Sequence, residues 1–286
     1  MKSIRICGVN EHFNFPWRYA IEKGLFQQAG IDLVWTESKG GTGEMTRLLA
    51  NNGTDLAVLL TEGMFVEAIR NRTAKIIQLH VTSPLHWGAH VKKNSAIHST
   101  NDLKQKRFAI SRYGSGSHLM ALVHAKNMGW EKSDVSFVVV NSLEGGLQSL
   151  ANGESDVFLW EKYTTAPFLE EFGLRYVGDV VTPWPSFLLA GSNEFCAEDQ
   201  EAVKTIARII ASANAELKKN PETVKWISQR QHLNEKQVSQ WFSEMTWNEA
   251  PGIKESDYAH ILHSLCNADL ITPEERDNSN DIRFVW

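Results

Sequence analysis

Apolar and polar positions alternate along this chain in two recurring rhythms, one of strands and one of helices. Ile4-Arg5-Ile6-Cys7-Gly8-Val9 reads as a strand, followed by the polar and aromatic loop Asn10 to Phe15. Pro16 suits the first turn of a helix running to Gln28, and Gly30 stops it. Ile31 to Trp35 is a second strand. Gly40-Gly41-Thr42-Gly43 then turns into a helix from Glu44 to Asn51. Leu56-Ala57-Val58-Leu59-Leu60 is apolar without a break, as expected of a parallel strand buried on both faces. Thr61-Glu62-Gly63 opens a helix to Asn71, and strands follow at Lys75 to Val81 and Trp87 to Val91.

From Arg107 the order begins again. The strand Arg107 to Ile110, a glycine turn, the helix Leu119 to Met128, the strand Ser136 to Val140, a helix and the strand Val157 to Trp160 follow one another. Leu49-Ala50-Asn51-Asn52-Gly53-Thr54-Asp55-Leu56 matches Leu150-Ala151-Asn152-Gly153-Glu154-Ser155-Asp156-Val157 without a gap, at the same point of each round. A two-fold repeat is therefore expected. Strands alternating with helices imply parallel sheets, hence two α/β lobes with ligand loops at the carboxyl ends of the strands. After the strand-like runs Leu174 to Val181 and Pro185 to Ala190, the pattern turns helical: Glu198 to Lys219, Pro221 to Gln231, Glu235 to Thr246 and Ser256 to Cys266. The tail ends on Phe284-Val285-Trp286, an apolar end suited to docking on a lobe.

The turn Ser111 to His118 carries the sharpest candidate chemistry. It lies between a strand and a helix, where unpaired amides and the helix dipole favour a negative group. Gly114 and Gly116 let backbone approach a ligand closely. Ser115 and Ser117 cap the helix or donate to an anion, and Arg112 grips a carboxylate, phosphate or sulfonate. Tyr113 lies in the same turn. On the other strand ends, Asn10, Gly41, Thr42, Glu62 and Glu161 are polar candidates, and Phe13, Trp160 and Trp184 are candidates to sandwich an apolar or aromatic part. Each of these aromatics reads equally as core.

Composition narrows the class. A net charge of −5 gives no electrostatic case for nucleic acid or an anionic membrane, and no apolar run approaches the length of a membrane span. Cys7, Cys196 and Cys266 are scattered, with neither a CxxC nor zinc spacing, and read as thiols in a reducing compartment. The chain opens directly into a strand with no export signal, which reads as cytoplasmic; removal of a signal would make it periplasmic or extracytoplasmic. No metal and no cofactor is expected. His12, His118 and Glu62 form at most a loose acid–base set. Gly114-Ser115-Gly116 lacks the last glycine of a dinucleotide fingerprint.

With these residues in view, the chain resembles the type II periplasmic solute-binding proteins, in the branch that takes up sulfonate, taurine, nitrate and thiamine-pyrimidine precursors. The resemblance is carried by the first strand with Asn10, Glu22 to Phe26 before Gly30-Ile31-Asp32-Leu33, and Asn52-Gly53-Thr54-Asp55-Leu56-Ala57. It continues through Asp102 to Ile110 and the turn Arg112 to Ser117, and spans roughly Ile4 to Leu217. It implies a two-lobe α/β fold with a ligand cleft between lobes and a helical C-terminal segment. Residues 1–88 would start lobe 1, 89–182 would form lobe 2, and 183–286 would return to lobe 1. The crossovers would lie near Trp87–Lys92 and Val181–Trp184. It further implies hinge closure on a small molecule and, for an exported form, an ABC transporter permease as partner. The same fold includes the eukaryotic pyrimidine synthase of thiamine biosynthesis. The lysine and histidine which that enzyme needs fall here on Leu59 and Gly63, and its cysteine cluster has no counterpart around Leu188 to Ser192. The expectation is therefore a non-catalytic binder of a small anionic or heteroaromatic ligand. The alternative is an enzyme of this fold acting on a small pyrimidine- or carboxylate-type metabolite.

Overall fold

A computed structural model describes residues 1–286, the side chain of Asn280 excepted. The chain divides into two compact units, Met1–Ser83 with Trp184–Trp286, and Pro84–Pro183. The first unit begins with β1 (Lys2–Gly8), α1 (Phe15–Glu22), α2 (Leu25–Gln28), β2 (Ile31–Glu37), α3 (Thr42–Ala50), β3 (Leu56–Leu60), α4 (Thr61–Asn71) and β4 (Ala74–Val81). The second unit holds β5 (His86–Lys92), β6 (Arg107–Ile110), α5 (Gly116–Asn127), β7 (Ser136–Val139), α6 (Leu143–Asn152), β8 (Val157–Glu161), α7 (Lys162–Thr165) and β9 (Leu174–Val181). The chain then returns to the first unit with β10 (Phe187–Ser192), α8 (Asn193–Glu198) and α9 (Gln200–Lys219). It ends with α10 (Thr223–Gln231), α11 (Glu235–Glu244), α12 (Glu255–Asn267) and α13 (Pro273–Asp277).

Each unit is built on one five-stranded sheet. The orders are β2-β1-β3-β10-β4 and β7-β6-β8-β5-β9. β1 pairs parallel with β2 and β3, and β6 pairs parallel with β7 and β8. The fourth strand runs antiparallel to both neighbours in each sheet, β10 between β3 and β4, and β5 between β8 and β9. The first four residues of β3 are buried, as its unbroken apolar run requires of a strand covered on both faces. α9 lays Ala202, Val203, Ile206, Ala207, Ile210 and Leu217 into the first unit's core at helical spacing.

The eight-residue echo has a structural meaning. In both copies the helix ends on a left-handed residue, Asn52 (φ 53°) or Gly153 (φ 75°), and the next residues lead into a buried strand. Asp55 Oδ2 accepts from the Arg5 amide (2.7 Å) and Nε (3.1 Å), and Asp55 Oδ1 from an Arg5 terminal nitrogen (2.6 Å). Asp156 does the same to Arg107, at 2.9, 3.0 and 2.8 Å. Each arginine also donates to the carbonyl of a helix-end glycine, Gly53 or Gly153. The shared Asp thus clasps the first parallel strand to the third in each unit. Asp55→Ala and Asp156→Ala are each expected to lower the thermal midpoint by about 2–4 °C. Hydrogen exchange should localise the loss to the mutated unit, and equal loosening of both units would refute the clasp.

Several boundaries differ from the sequence expectation. The helix foreseen from Pro16 to Gln28 is two helices, broken where Gly24 adopts φ 67°. The helix foreseen from Glu198 starts at Gln200 instead. Asp199 leaves helical geometry, and its side chain accepts from the Ala202 amide as the N-cap. α10 starts at Thr223 and not at Pro221, and α11 ends at Glu244 because Met245 is extended. The C-terminal end docks on the edge strand β4: Phe284 donates its amide to the Ile76 carbonyl (2.9 Å), and Trp286 Nε1 donates to that of Ile77 (3.3 Å).

Candidate functional site

In the first unit the ligand loops foreseen from sequence gather at the carboxyl ends of β1, β2 and β3. The loop after β1 is pinned from inside. The Phe13 carbonyl accepts from Trp247 Nε1 (2.9 Å) and from His80 Nε2 (3.1 Å), while the Phe13 ring stacks on Phe187 at 3.7 Å. Asn14 Nδ2 donates to the Val9 carbonyl (2.9 Å). Phe13 is therefore core, whereas Asn10 stands exposed at the loop tip. An acceptor carbonyl at His80 Nε2 places the ring proton there. Burial pushes the His80 pKa down to about 4, so the ring is neutral near pH 7.

Gly41 precedes α3 with φ 60°, a conformation only glycine adopts without strain. Thr42 Oγ1 accepts from the Leu60 amide (3.3 Å), and a Cβ on Gly63 would come within 2.5 Å of Thr42 Cγ2. The glycine turn and the start of α4 are therefore in direct contact. Glu62, on that first turn, is fully buried, and Trp184 Nε1 donates to its Oε2 (2.9 Å). Burial drives the Glu62 pKa up to about 7, against the opposing pull of its own amide and the Trp184 indole. Three sequence candidates, Thr42, Glu62 and Trp184, thus share one corner of this unit.

In the second unit β6 and β8 are neighbours, so the loops that follow them open on the same sheet edge. The turn after β6 is closed by its own serines. Ser115 Oγ donates to the Arg112 carbonyl (2.7 Å) and accepts from the His118 amide (3.4 Å), while Ser117 Oγ accepts from the Ser111 amide (3.1 Å). Gly114 takes φ 77°, and its amide donates to His118 Nδ1 (3.1 Å). Ser115 thus caps α5, one of the two roles foreseen for these serines, while Ser117 ties the turn back to Ser111. The amides of Gly116 and Ser117, first in α5, have no intrahelical acceptor by helix geometry. The half-buried Arg112 stands beside them, and Tyr113 is 66% exposed.

After β8, Trp160 packs on Phe158, ring centroids 5.2 Å apart. Glu161 is buried and caps α7, its Oε2 accepting from the Thr164 amide (2.6 Å) and hydroxyl (2.7 Å). Sequence reasoning missed the rings that shape these loops. His118 sets its edge against Phe137 (4.7 Å) and Tyr113 (5.2 Å), a contact foreshadowed only by a histidine closing the Gly-Ser turn. It also missed Asp179, whose carboxylate accepts from His86 Nδ1 (3.1 Å) and Lys162 Nζ (3.3 Å). Burial would raise the Asp179 pKa, but hydrogen bonds from His86, Tyr176 and Lys162 outweigh it and hold the group below the usual carboxylate range.

Among the described residues, no three His, Cys, Asp or Glu side chains gather as a metal site, and no helix is long and apolar enough to cross a membrane. Cys7 and Cys196 are buried, which pushes their thiols up to about 11 and about 12; neither is a thiolate at neutral pH.

Two sheets of this order, each with an antiparallel fourth strand, define a periplasmic-binding-protein-like fold. Over its whole length the chain superposes with a TM-score of 0.89 on the Candida albicans CA3427 gene product, which exhibits the generic periplasmic binding protein structural fold; identity is 21% and 98% of that chain is covered. It superposes with a TM-score of 0.76 on the alkanesulfonate-binding protein SsuA of Xanthomonas axonopodis pv. citri bound to MOPS, at 15% identity over 100% of this chain and 96% of that one. For the aliphatic sulphonate binding protein SsuA of Escherichia coli the figures are 0.72 and 14%, over 100% and 92%. These likenesses establish the fold. Residues 87–180, nearly all of the second unit, match the model of the Ca3427-like PBP family. No curated protein matches the chain by sequence.

Proposed function

We propose that this protein binds, without chemical conversion, a small anionic or heteroaromatic molecule held by the loop edges of both units, which close on it by a hinge. The observation that carries the reading is the turn Arg112 to Ser117. The serines shape the turn, and an anion at the start of α5 would meet the Gly116 and Ser117 amides, which lack an intrahelical acceptor, with the Arg112 side chain in the same turn. Glu62, held by the Trp184 indole, supplies the polar counterpart in the first unit. Where the chain is exported, delivery to an ABC transporter permease completes the role; where it is not, a carrier or sensor does.

The test is a panel of alkanesulfonates, MOPS, heteroaromatic carboxylates and thiamine-pyrimidine precursors, followed by calorimetry, thermal shift and mass spectrometry. A shift with unchanged ligand is expected for at least one anion. Arg112→Ala should weaken that ligand at least about tenfold, the loss of one charge-assisted contact of about 1.4 kcal/mol. Turnover of any compound would replace this reading with an enzyme of the same fold. Unchanged affinity in the alanine variant would remove Arg112 from the site.

A further inference from the structure

The first turn of α4 holds two polar atoms without a partner. Glu62 Oε1 and Thr61 Oγ1 are both buried and make no hydrogen bond among the described residues, and both side chains are 0% exposed. An orphan buried acceptor or donor is costly, so a partner outside the protein is called for. α4 is eleven residues long, and this turn follows β3 at the sheet edge where the Thr42 corner lies.

The protonation of Glu62 decides what that partner must be. Its carboxyl favours the neutral form close to neutral pH, with burial as the largest cause, and no charged side chain is among the causes. On the elements packed against α4, four titratable groups are engaged elsewhere. Glu44 of α3 accepts from Ser38 and Gly40, His80 of β4 donates to Phe13, Lys75 of β4 donates to the Asp281 carbonyl, and Glu275 of α13 pairs with Arg70. Oε2 already accepts from Trp184, so the proton of the neutral acid belongs on Oε1.

We infer that Glu62 is a specificity-determining residue of the ligand site, a carboxylic acid that donates from Oε1, with Thr61 Oγ1 beside it, to an acceptor oxygen of the bound anion. This rests on the binding reading above. An acid in this role adds a donor from the first unit to a sulfonate or carboxylate oxygen, and ionisation of Glu62 turns the same contact against it.

Pyridine-3-sulfonate, an anion across the pH range needed, is the probe. Its Kd for the full chain should rise about tenfold from pH 6 to pH 8, as the neutral acid is depleted about a pKa of 7. Glu62→Gln keeps both an acceptor for Trp184 and a donor for the ligand. It should bind within about twofold of the wild type at pH 6 and show no pH dependence, while Glu62→Ala binds weakly throughout. A ligand-free readout separates this role from the binding reading: the Trp184 indole N–H resonance, assigned with Trp184→Phe, should titrate near pH 7 and stay still in Glu62→Gln. An unmoving resonance, or a Gln variant as pH-dependent as the wild type, overturns the role of Glu62. A titrating resonance with no probe binding at any pH overturns this role of Glu62, and the binding reading falls only if the whole panel above also fails to bind.

Discussion

Acidification from pH 7 to pH 4 is expected to destabilise both units, through one buried histidine in each. His80 and His90 are fully buried, and burial pushes both pKa values down to about 4. His90 is neutral in place, between the Phe158 carbonyl (3.2 Å from Nδ1) and the Thr165 hydroxyl (2.8 Å from Nε2). The unfolded chain takes up these protons near pH 6.5, so below that pH it binds more protons than the native state and stability falls as pH falls. By pH 4 each histidine costs on the order of 3 kcal/mol. Glu62 acts in the opposite sense: raised to about 7, it costs stability as pH climbs from about 4.5 to 7, and so offsets part of the acid loss. Urea denaturation at pH 7, 5.5 and 4 measures the slope. His80→Gln and His90→Gln should each flatten it, and a profile indifferent to both substitutions would discard the assignment.

The second large effect is expected at two adjacent glycines of α6. A Cβ on Gly145 would sit 2.1 Å from the Val140 carbonyl oxygen, and one on Gly146 would sit 2.4 Å from the Phe158 ring. Both are sub-van der Waals contacts, and Gly145→Ala and Gly146→Ala should each cost about 1–3 kcal/mol or more. They differ in what can yield. Phe158 is a side chain in the core cluster with Leu147 and Leu150, so Phe158→Leu should recover much of the loss in Gly146→Ala. The obstacle to Gly145→Ala is backbone, and no neighbouring truncation should rescue it. Thermal denaturation of the singles and the double tests both claims, and a wild-type midpoint for Gly145→Ala would sink the second.

The parallel strands were legible because each is short, apolar and bounded by a glycine turn, β3 most plainly. The duplication was legible in Asp55 and Asp156, but their arginine partners were not, since Arg5 and Arg107 lie about fifty residues upstream in an unremarkable pattern. Strand direction was not legible either: nothing in Phe187 to Ser192 or His86 to Lys92 tells an antiparallel strand from a parallel one. At the candidate site, the turn around Arg112 could be seen because glycine and serine mark backbone geometry locally. The burial of Phe13 depends on His80, Phe187 and Trp247, which are far away in sequence, and no local signal separated it from a ligand aromatic. Trp184 likewise reads as an open ring until its partner, Glu62, is found 122 positions earlier.

The fourth strand of the first sheet has a consequence for how the chain comes to be made. β10 lies between β3 and β4, yet it leaves the ribosome after all of the second unit. The second unit is one continuous stretch and has every strand it needs once Pro183 has emerged. The amino-terminal half-sheet must instead wait, its middle gap unfilled, for about 5–20 s of further translation at 5–20 residues per second. Nascent β3 and β4 are therefore exposed edges during that interval, a window in which a holdase chaperone would find them.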